Sequence, residues 1–519
     1  MNLEDPPFVE KIVLYFKENI LLFILFFLLS ISLFDTLFKL LIDRGLRVSL
    51  SYFYLNSLSF GMLFFLFLFL LHIFSEQRSI KGSVIKLSSI FWLFCLSPIL
   101  TMVFGGEISH LNIMRWSDIV EFFLFANDLN TGLIIIFLVS GLLGVIIARD
   151  NENDHLERVF SSVGGVLLSI ICFVLFFQLG LTGIQNSDIS SVNYNKHLGL
   201  LLSIYLVQLM IVISAFATFL DKKRMKKYLS NMKLFRSLHF AMMVLIGLVV
   251  LSRSPYRPFN VFDQTNITFF FLAPLMMVFT WQFTAMVNDI YDREIDRLAH
   301  PERPLITGEI RVKNYKNIAI CFAVVSLLIS FYFGILLMLL NLSFIIAAIL
   351  YSVPPIRLKE RIFAYLCVGY ASAVAFLSGF YSPVMWSLIV EHSRFVSLEN
   401  IPVPREVLSI SLIIFMTLSV SPYINALSDF EGDKRAGVKN IYTIYGREKG
   451  KKIVGALVVL LFLSPLSLFP TTIDLLLMLP LSLVAFYFYY VLEEHRFIFI
   501  LYFLIIIFYL TRYLGLVSI

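Results

Sequence analysis

The 519-residue chain is 59% hydrophobic, carries 54 phenylalanines and is only 15% charged, far more apolar than the roughly 45 to 50% of a soluble domain. That composition excludes a soluble enzyme and describes a polytopic membrane protein. Its net charge of +6, from 41 Lys and Arg against 35 Asp and Glu, sets loop orientation in such a chain and gives no reason to expect nucleic acid as a partner.

Stretches such as "ILLFILFFLL" and "LIIIFLVSGLLGVII" are apolar on every face, whereas a membrane strand would alternate apolar and polar residues, so the fold class is all-α. The N-terminal "MNLEDPPFVEKIVLYFKEN" is acidic and polar where a signal peptide would be basic, and no cleavage is expected. Six spans are then predicted at about 20–41, 51–74, 84–105, 132–148, 163–183 and 197–220. A basic stretch, "DKKRMKKYLSNMKLFR" (221–236), follows. Nine more spans are predicted at about 237–252, 267–288, 317–334, 336–353, 362–386, 407–427, 453–469, 473–491 and 497–517, each near the ~20 residues that cross a bilayer as helix. The expected organisation is therefore about 15 transmembrane helices: a six-helix module over 1–220, a basic cytoplasmic linker over 221–236 and a nine-helix bundle over 237–519. The cysteines Cys95, Cys172, Cys321 and Cys367 lie inside apolar runs without CxxC spacing, and imply neither disulfides nor a thiolate metal site.

Basic loops stay on the cytoplasmic side. With the linker inside, alternation places the loops 289–316, 357–361 and 434–452 inside as well, and each is rich in Lys or Arg. The same count puts "IDRGLR" (42–47) outside, so the first span is the one that departs from the rule.

The cytoplasmic helix end at 287–298 reads "VNDIYDREIDRL" directly after an uncharged run. Carboxylates at a membrane edge cost free energy unless something compensates them. Side chains four apart share a helix face, so Asn288, Asp292 and Asp296 form an oxygen-rich ladder with Asp289 beside it. Oxygens at that spacing suit Mg²⁺, a hard cation bound through one or two carboxylates and substrate phosphates. The bland alternative is a solvated helix end neutralised by Arg293 and Arg297. A second cluster, "NALSDFEGDKRAGVKN", repeats the spacing with Asp429 and Asp433 on the same membrane side. A calcium EF-hand is excluded there, because its sixth position is Lys434 and its twelfth Asn440. "RDNENDHLER" (149–158), with Asp154 and His155, reads as a solvated loop, and Lys449, Lys451 and Lys452 read as positive-inside residues.

Two facing acidic clusters, each followed by basic residues, suit a metal-bridged diphosphate. Ionisation of an allylic diphosphate leaves a carbocation that survives only in a dry, aromatic pocket. A membrane cavity rich in Phe and Tyr supplies one.

Over about residues 235–519 the chain resembles the UbiA superfamily of intramembrane prenyltransferases. The family's first motif, N-D-x-x-D-x-x-x-D with a following R-P-L turn, matches "NDIYDREIDRLAHPERPLITGEI" (288–310); its Y-S-x-P-P-x-R-x-K segment matches "YSVPPIRLKE" (351–360); and its second motif matches "DFEGDKRAGVKNIYTIYGREKG" (429–450). The resemblance implies a nine-helix bundle in which Asn288, Asp292 and Asp296 bind one Mg²⁺ and Asp429 and Asp433 another. It further implies that Asp289, Arg297, Arg303, Tyr351, Arg357, Lys359, Lys434 and Lys439 contact the diphosphate or line the pocket. Many relatives carry K-D ahead of the second motif, where this chain has Asn425-Ala426. That departure bears on the acceptor rather than on the metal.

The implied activity is transfer of a polyprenyl group from an isoprenyl diphosphate to an aromatic quinone precursor or a glycerol lipid. The active site is expected at the cytoplasmic side of the cell membrane. The haem-farnesylating branch is disfavoured because M-x-R-T does not follow the first motif, and a CDP-alcohol phosphotransferase because no D-G-x-x-A-R is present. A transporter would place its charges near the midplane and show repeat symmetry. Residues 1–220 carry no motif and are expected to form a non-catalytic accessory module.

Overall fold

The computed structural model describes residues 19–43, 231–256, 267–392, 401–428, 430–435 and 439–513, residue 515, and isolated positions between 53 and 88 and between 203 and 229. The chain divides into two compact units, Met1–Leu229 and Ser230–Ile519. In the first unit one long apolar helix, α1 (Ile20–Asp43), is described. The other five expected spans of that unit, and the loop with Asp154 and His155, lie outside the described residues.

The second unit is all helix among the described residues. Its elements are α2 (Leu234–Arg253), α3 (Ile267–Tyr291), α4 (Arg293–Ala299), α5 (Val312–Phe333), α6 (Ile335–Ser352), α7 (Ala364–His392), α8 (Arg405–Asn425), α9 (Phe430–Arg435), α10 (Ile441–Tyr445), α11 (Arg447–Leu463), α12 (Thr472–Tyr490) and α13 (His495–Tyr513). Nine of the described helices are long and apolar enough to cross a membrane. Helix is the required form there, because lipid offers no partner for an unpaired backbone N–H or C=O. Several helices begin before their apolar run: α5 starts at Val312 rather than 317, and α11 at Arg447 rather than 453. Hydropathy measures the lipid-embedded part of a helix, and polar turns continue it into the headgroup layer.

Short connections make neighbours antiparallel. Between α5 and α6, Gly334 alone separates the two helices at φ 123°, a conformation that a residue with a Cβ rarely adopts. α7 is central, packing along α2, α6 and α8, while α3 packs along α2 and α5. The α2–α7 crossing is close because of two glycines: a Cβ on Gly247 would lie 2.2 Å from the Phe376 carbonyl oxygen, and one on Gly379 would lie 2.0 Å from that of Val244. Small residues let membrane helices approach backbone to backbone where no hydrophobic driving force separates helix from lipid. Between α3, α5 and α6 a buried polar network adds to the packing, with Thr280 Oγ1 donating to Asn341 Oδ1 at 2.6 Å and Asn341 Nδ2 donating to Ser326 Oγ at 3.3 Å.

Candidate active site

By helix alternation, the ends of α3, α6 and α8 and the starts of α2, α5, α7 and α11 share one side of the bundle. Both acidic motifs belong to that side. The first begins on the last turn of α3 and is interrupted at Asp292, which adopts a turn conformation (φ −95°, ψ 5°) before α4. Backbone hydrogen bonds from Asp292 N to Asn288 O (2.9 Å) and from Asp296 N to Asp292 O (2.8 Å) carry the chain across the break.

This kink divides the expected ladder into two groups. Asn288 and Asp292 face the loop after α6. There Lys359 Nζ donates to Asp292 Oδ1 and, at 3.4 Å, to Asn288 Oδ1, while Arg357 Nη2 donates to Asp292 Oδ1 at 3.0 Å. Ser352 Oγ also donates to Asn288 Oδ1 at 3.4 Å. Arg357 sits at φ 41°, in the left-handed region that β-carbon-bearing residues rarely occupy. Such strain clusters at functional sites when the surroundings enforce it. Burial pulls the Lys359 ammonium below the usual lysine range, and the Glu360 and Asp289 carboxylates oppose that shift.

Asp289 and Asp296 form the other group. Asp289 is buried, with Oδ1 accepting from Lys233 Nζ at 2.6 Å and Oδ2 accepting from the Tyr315 hydroxyl at 3.1 Å. Asn231 Nδ2 donates in turn to Tyr315 at 2.7 Å. Asp296, also buried, accepts from Arg303 Nη1 at 2.6 Å, and the same nitrogen lies 3.9 Å from Asp289. Arg297 is not brought to this network: it is exposed and paired with Glu294.

Of the second motif, Asp429 lies outside the described residues, and for Asp433 only its backbone place in α9 is described. Lys434 is exposed, 5.8 Å from the Phe430 ring centre, and Lys439 is exposed just before α10. α10 is pinned by a capping box in which Asn440 accepts from the N–H of Tyr442 and Thr443 and its own N–H donates to Thr443 Oγ1. Lys451 pairs with Glu493 at 2.8 Å, which gives it a structural partner.

A cavity of about 360 Å³ opens beside the first motif, and its lining grades from polar to aromatic. Lys233, Arg236, Asn288, Tyr351 and Ser352 supply the polar end; Phe240, Trp281 and Phe344 supply aromatic walls. Phe240 and Trp281 stack with centroids 4.6 Å apart, and Phe344 meets Phe240 edge-on at 5.3 Å. Lys233 and Arg236 read in the sequence as linker charge, and His239 carried no sequence signal. No motif marks them; only the packing of α2 against α3 does.

Among the described residues no three His, Cys, Asp or Glu side chains converge as a metal site. Asn288 Oδ1 and Asp292 Oδ1 nevertheless meet on one cationic group, the Lys359 ammonium. Two hard oxygens converging on one positive charge fit a hard cation such as Mg²⁺.

Residues 263–500 match the UbiA prenyltransferase family. Over 246 residues the chain is 28% identical to a digeranylgeranylglyceryl phosphate synthase of Sulfolobus acidocaldarius, covering 47% of this chain and 78% of that one. Over 212 residues it is 29% identical to a chloroplastic 2-acylphloroglucinol 4-prenyltransferase of Humulus lupulus, covering 40% of this chain and about half (49%) of that one. A solved structure of a UbiA homologue from Archaeoglobus fulgidus with GPP and Mg²⁺ is 21% identical, covers 56% of this chain and all of that one, and superposes with a TM-score of 0.38. At that score the superposition adds nothing to the sequence match. The UbiA segment runs from just before α3 into α13, so α2, with Lys233 and His239, lies upstream of it.

Proposed function

We propose that the chain is an integral-membrane prenyltransferase that moves an isoprenyl group from its diphosphate to a hydrophobic acceptor. The observation that carries this reading is the cavity whose polar mouth holds Asn288, in contact with Lys359 and through it with Asp292, and whose interior is walled by Phe240, Trp281 and Phe344. A substrate with a charged head and an apolar tail matches that gradient. The family match over residues 263–500 supports the reaction class.

In this reading Arg357, Lys359, Lys233 and Arg236 hold the diphosphate oxygens through charge-assisted hydrogen bonds. Asn288 and Asp292 from the first motif, with Asp429 and Asp433 from the second, would hold Mg²⁺, which when bound neutralises charge growing on the departing diphosphate. Asp296 and Asp289 fix Arg303 and Lys233 in place. As the allylic C–O bond breaks, its electron pair leaves with the diphosphate, and the aromatic faces and lack of water protect the allylic cation until the acceptor attacks.

The acceptor is a glycerol-phosphate lipid or an aromatic ring, the classes named by the archaeal and plant relatives. Lys- and Arg-rich loops on the site's side support a cytoplasmic-facing active site. Residues 1–220 act in this reading as a non-catalytic accessory module.

The deciding experiment supplies radiolabelled geranylgeranyl diphosphate to membranes containing the protein, with quinone precursors and glycerol-phosphate lipids, in Mg²⁺ or EDTA. An Asp292→Ala, Asp433→Ala double variant is run alongside. Metal-dependent label on one acceptor, absent in the variant, establishes the activity and names the acceptor. No transfer by folded wild type rejects the reading.

A further inference from the structure

His239, on the second turn of α2, lines two cavities at once. One is the mixed cavity beside the first motif; the other is an apolar cavity of about 630 Å³ between α2, α8 and α13, lined by residues such as Met243, Ile246, Ile413 and Phe503. His239 Nε2 lies 3.1 Å from Ser372 Oγ, and the Ser372 hydroxyl donates to the Val368 carbonyl at 3.0 Å. With its proton committed there, Ser372 can only accept from the imidazole. Nε2 therefore carries the ring proton, and Nδ1 keeps its lone pair.

The other titratable groups lining the mixed cavity are Lys233, Arg236, Tyr351 and Cys367. Lysine and arginine side chains offer only donors, and the tyrosine hydroxyl and cysteine thiol carry protons of their own. Among these groups only the neutral imidazole offers a free basic nitrogen.

Resting on the prenyltransferase reading above, we propose that His239 is the catalytic base for the acceptor. The acceptor hydroxyl, or the ring carbon of an aromatic acceptor, forms the new bond to the allylic cation once the bond to the diphosphate oxygen has broken and its electron pair has left with the diphosphate. The hydrogen on the attacking atom departs as a proton to Nδ1, leaving an imidazolium that returns the proton to water after product release. Ser372 orients the ring by holding Nε2.

The test uses the full-length protein in membranes with the acceptor identified above, comparing wild type, His239→Gln and His239→Ala. Expected are a fall in kcat of about 100-fold or more in both variants, with the KM for the isoprenyl diphosphate kept within about twofold. Added imidazole should restore transfer by His239→Ala and leave the wild type unchanged. The proposal is overturned if His239→Gln keeps kcat within about threefold of wild type, or if the loss is accompanied by lost diphosphate binding or resists imidazole, since either marks a packing role. Failure of the wild type itself to transfer is a different result: it removes the prenyltransferase reading, and the base with it.

Discussion

Asp292 and Asp474 are both carboxylates at the ends of membrane helices, both paired with arginine, and their environments differ in kind. By helix alternation they lie on opposite sides of the bundle. Asp474 is 2% exposed and fully committed: Oδ1 accepts from Tyr509 at 2.7 Å and Arg512 Nη1 at 2.6 Å, and Oδ2 accepts from Thr471 at 2.5 Å. Arg512 in turn lies over the Phe469 ring at 4.3 Å. That cluster fastens the start of α12 to the end of α13. Asp292, with a side chain 14% exposed, instead loads Arg357 and Lys359 on a single oxygen. A carboxylate with both oxygens taken by donors from packed helices is structural. One held by two long side chains next to a cavity can exchange those partners for a ligand, and its partners can turn to the ligand's own charge.

This contrast is sharpest in the responses to mutation. Asp292→Asn should lower transfer by about 100-fold or more, on the scale of losing one preorganised electrostatic contact, with the unfolding temperature unchanged. A drop in stability instead would make Asp292 a second Asp474. Asp474→Ala should do the opposite, costing about 3 kcal/mol because the Arg512 charge is left without its partner. Unfolding in detergent micelles checks this, with activity per folded molecule kept.

The Lys359 shift gives the comparison a pH axis. Because burial lowers its pKa, the ammonium is charged below that value and loses its charge at a lower pH than an ordinary lysine. The KM for the diphosphate should therefore climb as pH is raised toward the ordinary lysine range, at a lower pH than an unburied lysine would give. Lys359→Arg should flatten the climb, since a guanidinium does not titrate there. A KM that is flat in the wild type would remove Lys359 from the diphosphate.

The smallest effect belongs to Lys451–Glu493, away from the cavity, where a partly exposed glutamate keeps a second partner in Arg447 when the buried lysine is lost. The Lys451 hydrogen bond holds the Glu493 carboxyl below its usual range. Its stabilisation is present above the unfolded-state carboxylate pKa and fades as pH falls through the depressed folded value. Lys451→Met should cost under about 1 kcal/mol near neutral pH, with the difference from wild type vanishing in acid, as read by unfolding at both pH values.

The nine membrane-long helices among the described residues of the second unit were legible because lipid imposes a strict rule: about 20 apolar residues, all backbone groups satisfied within the segment. Asn288, Asp292, Arg357 and Lys359 were legible as motif residues at helix ends. Other assignments turned on information that sequence spacing lacks. The four-residue ladder treats α3 as continuous, whereas the turn at Asp292 sends Asp296 to Arg303 and leaves Asp292 with Lys359. Asp289 was expected to face substrate, and the structure commits it to Lys233 and Tyr315. Arg297 found a partner three residues away, at Glu294, and stays at the surface.

The sequence by itself determined an all-α membrane bundle and which side of it carries the acidic and basic residues, because hydropathy and helical period are local properties. Only the tertiary structure decided which charges meet: Lys233 with Asp289, Lys359 with Asp292, His239 with Ser372. Those partners lie 56 to 133 residues apart. The last pair depends on how closely α2 crosses α7 at Gly247 and Gly379, and the first two on how α2 and the loop after α6 pack against α3, distances that packing sets and no single helix encodes.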